Sequence, residues 1–142
     1  MRKMIALAAI AAIAVGAAFA LEHDTPQASG DFASLTAGEK VYAGNIAAVA
    51  TNGCAYAVNT AAIGGTLTVC GVFQRTAEKG EDVLVKRGGF LLENAGNITK
   101  AEIGQTAYST TNAWTVTKTS GTKTVGKIAD VREAGVVVVV GR

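Results

Sequence analysis

Few residues in this chain have the type and spacing that chemistry requires. The single histidine, His23, lies in a polar stretch with no second imidazole to share a metal or orient a base, so solvation is its expected state. No serine has a base near it in sequence, and the chain beyond His23 contains no histidine to supply one. Gly121-Thr-Lys-Thr-Val-Gly126-Lys127 reproduces the first seven positions of a phosphate-cradling loop, whose glycines expose backbone N–H groups and whose lysine reaches the outer phosphates. The eighth residue is Ile128 where a magnesium-binding hydroxyl belongs, and Ile128-Ala-Asp-Val continues as a strand where a helix must begin, so nucleotide binding is not expected. Glu78, Glu81 and Asp82 cluster in a turn, which reads as a weak cation site or, more simply, as a solvated acidic loop. Asn97-Ile98-Thr99 is a glycosylation sequon, a pattern short enough to arise by chance. No catalytic, cofactor-binding or metal-ligating residue is assigned, and the chain is read as a protein that is not an enzyme.

Cys54 and Cys70 are the remaining reactive pair, and their relation depends on the strands that carry them. Beyond residue 38 the sequence is a series of short β-type runs cut by glycines. Strands are expected at 40–50, 54–58, 66–74, 82–86, 90–93, 107–109, 113–118, 124–131 and 135–140, with one helical turn over 99–103. Asn52-Gly53 between two apolar runs is a strong hairpin signal, because both residues tolerate positive φ. If the runs at 54–58 and 66–70 also pair as a hairpin, Cys54 stands opposite Cys70 and a disulfide is geometrically allowed; two buried thiols packing as small apolar groups are the alternative. Five valines, Val136 to Val140, between Gly135 and Gly141 read as a central closing strand buried on both faces. Trp114 and Val116 share one strand face, which places Trp114 in the core, with an intersubunit contact as the alternative.

The fold class expected is all-β: a compact, glycine-rich β-barrel or sandwich over residues 38–142, preceded by an Ala-rich apolar helix over 1–20 and an extended arm over 21–37. Met1-Arg2-Lys3, an 18-residue apolar run from Met4 to Leu21, and Ala18-Phe19-Ala20 have the form of a secretion signal; a membrane anchor or a helix that packs on protein are the other readings. Phe32 and Leu35 are isolated apolar residues of the arm, suited to anchor it on a neighbouring subunit or to tuck it onto its own domain. With Arg2 and Lys3 set aside, eleven basic residues balance eleven acidic ones, and the neutral body lacks the net basic face that nucleic-acid binding needs.

The order of motifs resembles the capsid cement, or decoration, proteins of tailed bacteriophages. The residues that carry the likeness are Gly38-Glu-Lys-Val-Tyr-Ala-Gly44, Gly71-Val-Phe73, Gly80-Glu-Asp-Val-Leu-Val-Lys-Arg-Gly-Gly-Phe90, Ile98-Thr-Lys-Ala-Glu-Ile-Gly-Gln-Thr-Ala-Tyr108, Val125-Gly-Lys-Ile128 and the closing Gly135-Val-Val-Val138. The resemblance implies a structural virion protein, a homotrimer that clips onto the exterior of an expanded shell where major capsid subunits meet, with no active site and no cofactor. The apolar leader departs from the short polar arm usual in that family. The alternative is an exported β-domain that binds a surface or polymer outside the cell, with membrane contact only if the leader is a signal or anchor.

Overall fold

The computed structural model describes residues 32–120 and 123–141, and these form β-structure almost throughout. The apolar leader and the first part of the arm lie outside the described residues. Ten strands follow in order: β1 (Phe32–Thr36), β2 (Ile46–Ala50), β3 (Ala55–Ala57), β4 (Leu67–Phe73), β5 (Asp82–Lys86), β6 (Gly88–Asn94), β7 (Thr106–Ser109), β8 (Thr115–Thr117), β9 (Thr124–Arg132) and β10 (Gly135–Val140). The helical turn read at 99–103 is a single 3-10 turn, Lys100–Glu102, closed by a capping box in which Thr99 and Glu102 satisfy each other's end of the turn.

The first sheet has the order β1-β5-β4-β2-β3 and is antiparallel throughout. β2, the alanine-rich Ile46-Ala-Ala-Val-Ala50, lies between two cores. Ile46 joins one apolar cluster with Val58, Val72 and the barrel interior, while Ala47 joins the other with Val41, Phe73, Val83 and Val85. A strand packed on both faces leaves little room for large side chains, which accounts for its alanines.

Two expectations are corrected in this sheet. β3 does not pair with β4. The tight Asn52-Gly53 turn folds β3 back on β2 (Ala47↔Ala57, Val49↔Ala55), β4 takes the other side of β2 (Ala48↔Val69, Val49↔Thr68), and β2 therefore separates Cys54 from Cys70. The short turn closes a smaller loop than a 59–65 connection would, at lower entropic cost. The arm boundary also moves: Phe32–Thr36, read as part of an arm that either reaches a neighbour or tucks onto its own domain, is β1 and pairs with the chain's own β5 from Phe32↔Lys86 to Thr36↔Asp82, as the second alternative has it.

Just past β1 the chain crosses to the far border of the same sheet. Ala37 N–H donates to Glu81 O, Gly38 N–H donates to Ala55 O on β3, and one Glu39 carboxylate oxygen accepts from Ala57 N–H at 3.1 Å while the other accepts from the Thr60 hydroxyl at 2.9 Å. The outward-facing groups of β3 are thereby satisfied by residues 38 and 39. Gly38 fits only without a side chain, because a Cβ there would run into the Tyr56 ring and hydroxyl.

The second half closes into a five-stranded barrel, β10-β6-β8-β7-β9, with β6 and β8 parallel (Glu93↔Thr115) and the other pairs antiparallel. β10 pairs with β6 on one side and β9 on the other, as every strand of the closed barrel has two neighbours, and the expectation that it is buried on both faces is corrected. Its valines are not equally enclosed: Val136, Val138 and Val140 are fully buried, whereas Val137 and Val139 face outward and are half-buried. The barrel interior and the β2–β3–β4 face share one cluster, which runs from Ile46 and Val72 to Val116, Ile128 and Val138.

Candidate interaction surface

The segments read for chemistry adopt structural roles. Ile128 is buried within β9, and Lys127 beside it extends along the barrel surface to the Thr106 hydroxyl at 3.3 Å, so Val125 to Val131 form a ladder rather than a phosphate loop; Gly121 lies outside the described residues. The acidic turn is tied to basic partners. Glu78 pairs with Lys40 at 3.2 Å, Glu81 accepts from the Glu78 N–H at 2.9 Å, and Arg75 reaches the Asp82 carbonyl. Among the described residues no group of three His, Cys, Asp or Glu is placed to hold a metal ion. Asn97 of the sequon is half-buried and donates to the Thr117 hydroxyl at 2.7 Å.

Both cysteines are free thiols. Cys54 ends the Asn52-Gly53 turn, and Cys70 on β4 packs against the first-sheet core and donates to Ala47 O at 3.5 Å. Burial pushes the Cys70 thiol up to about 11, with the nearby Arg87 guanidinium opposing the shift only in part. A thiol in that state is a poor nucleophile near neutral pH.

What the surface does display is apolar. Trp114, expected in the core, is 49% exposed. The regular strand starts only at Thr115, after a bend in which Asn112 Oδ1 accepts from Trp114 N–H at 3.1 Å and the Thr110 hydroxyl donates to Thr115 O at 3.3 Å. Ala113 turns inward, its carbonyl accepting from Ile46 N–H at 2.7 Å, so the indole turns out. The Trp114 carbonyl accepts from Glu93 N–H at 3.0 Å, which ties the bend to β6. Two residues earlier on β6, Leu91 is 49% exposed and directly opposite the outward Val137 of β10. Tyr42, 52% exposed, precedes the turn that leads into Ile46, with the Lys40 ammonium 5.6 Å from its ring centre. Leu84 on β5 and Ile103 are further exposed apolar side chains.

Of the residues singled out in the sequence as contact candidates, Trp114 lies on this surface and the two arm residues do not extend away from the domain. Leu35 packs against the first-sheet core, and Phe32 lies under the Lys86 ammonium at 5.4 Å on the chain's own sheet. Leu91 and Tyr42 were not singled out. For Leu91 the signal is parity, since Leu92 must face the barrel interior and its neighbour must then face out. No family model, curated protein or solved structure matches this chain.

Proposed function

We propose that this chain is a structural virion protein that binds the outside of an assembled phage capsid, as a trimer, and stabilises the lattice of major capsid subunits. The observation that carries the reading is the exposed apolar surface of the barrel: Trp114, turned outward by a hydrogen-bonded bend that is tied to β6, and Leu91 on that same strand, opposite the outward Val137. Rigid exposed aromatics of this kind are the usual anchors of protein interfaces. The motif order from Gly38 to Val138 supports the same reading. A protein that binds only the assembled shell stabilises it by mass action, and a modest contact repeated at every symmetric site suffices.

The basic cap, apolar run and Ala18-Phe19-Ala20 favour a second reading, an exported β-domain that binds a surface or polymer.

The test is sedimentation of the purified full-length chain with expanded, undecorated shells built from the major capsid protein of the same genome, alongside native mass measurement. Saturable binding by a trimer is expected, and Trp114→Ser should weaken it by about tenfold or more without altering the circular dichroism spectrum. A monomer that ignores both expanded and unexpanded shells overturns the proposal.

A further inference from the structure

The Asn52-Gly53 turn carries a chemistry separate from any binding role. An asparagine followed by glycine is the dipeptide most prone to cyclise, because no side chain shields the following backbone nitrogen. In that reaction Gly53 N gives its proton to solvent base and bonds to Asn52 Cγ, while the Cγ–Nδ2 bond breaks and Nδ2 takes a proton from solvent to leave as ammonia. Water then opens the five-membered imide, adding hydroxyl to one carbonyl carbon and hydrogen to the ring nitrogen. An aspartate or an isoaspartate is left at position 52. Solvent supplies every reactant, and Thr51, Asn52 and Gly53 are all exposed to it.

The fold opposes each step. Gly53 N–H is bound to Ala50 O at 2.9 Å, so the nucleophile's proton is engaged and directed away from the side chain. Asn52 Oδ1 accepts from Cys54 N–H at 2.9 Å, and because that N–H is only a donor, Nδ2 must point the other way, where it donates to the Tyr56 hydroxyl at 3.1 Å. The leaving group and the carbonyl are both pinned, and Cγ cannot rotate over Gly53 N without breaking both contacts. Tyr56 is itself held. It is 6% exposed, its ring is packed against Gly38 with no room for a Cβ between them, and Gly38 is tied to Ala55 on β3.

We propose that Asn52-Gly53 is a latent deamidation site, with the Tyr56 hydroxyl as its guard and the Gly38 crossing as the element that keeps the guard in place. Any event that lifts residues 37–39 from β3 frees Tyr56 and lets the turn convert irreversibly. The isoaspartate that results lengthens the backbone by one methylene at the turn joining β2 to β3, a permanent mark of the opening.

The experiment ages the full-length chain in mildly alkaline buffer and follows position 52 by peptide mapping, with isoaspartate resolved by chromatography. Three samples are compared: native chain, the same chain in urea, and folded Tyr56→Phe, which keeps the ring and removes the hydroxyl. Native protein should deamidate about tenfold or more slowly than unfolded protein, since reaction must await local opening. Tyr56→Phe should react about fivefold faster than wild type, the worth of one hydrogen bond. Native and urea rates within about twofold of each other, or a folded Tyr56→Phe with the wild-type rate, overturn the proposal. The native-to-urea ratio needs no variant, so it still decides the matter if Tyr56→Phe fails to fold.

Discussion

Single residues here act mostly by satisfying backbone. Glu102 shows how this becomes a pH dependence. Its carboxylate accepts from the Thr99 N–H at 2.6 Å and from the Thr99 hydroxyl at 2.9 Å, and these bonds, the backbone one foremost, hold its pKa below the ordinary 4.5, with a smaller contribution from Lys118. A carboxyl whose folded pKa is depressed contributes stability above its unfolded value and loses it as pH falls through the folded one. Glu102→Gln should therefore melt below wild type at neutral pH, and the gap should close as pH drops beneath 4.5; a gap independent of pH in thermal scans would refute the account. At this scale the sequence was partly legible. The helical turn is expected over 99–103, and Asn52-Gly53 predicts the reversal. Trp114 was misread because face parity holds only within a pleated strand, and the bend held by Thr110 and Asn112 ends the pleat one residue after the indole.

At the scale of elements, strand existence was legible and strand pairing was not. The runs at 82–86 and 135–140 match β5 and β10 because turn residues bound them on both sides. β1 carries a weak strand signal because it follows a polar stretch and turns few apolar residues toward its sheet, Leu35 above all. Which strand lies beside which is a contest between loop closures across the whole chain, and no local pattern records it. Glu39 illustrates the result: 18 and 21 residues from its partners in sequence, it caps Ala57 N–H and the Thr60 hydroxyl. Glu39→Ala should destabilise the protein by about 1–3 kcal/mol in urea titrations, since it strips partners from a backbone donor and a hydroxyl at once. An unchanged urea midpoint would show that water replaces the carboxylate at no cost.

For the molecule as a whole, sheet and barrel are joined by a common interior. Ile46, Val58 and Val72 from the first half lie in one cluster with Val116, Ile128, Val136 and Val138 from the second. The apolar faces that the two halves turn to this cluster are buried only together, so unfolding should be one cooperative transition. Trp114 fluorescence reports the barrel, and denaturant-dependent labelling of Cys70 reports the sheet; their midpoints in guanidinium should coincide. Separate midpoints would mean two independently stable halves.

The covering of β3 by Gly38 and Glu39 has a further consequence. Among the described residues, the sheet's other outermost strand, β1, has hydrogen-bonding partners on one side only, and Phe32-Ala-Ser-Leu-Thr36 carries neither charge nor proline to discourage visitors. A ribbon with a single unsealed margin can be stitched to one similar margin and then has nothing left to offer. Crowded together at high local concentration, the described strands offer a means of coupling in twos through that margin, whereas an endless fibril requires two receptive borders per copy.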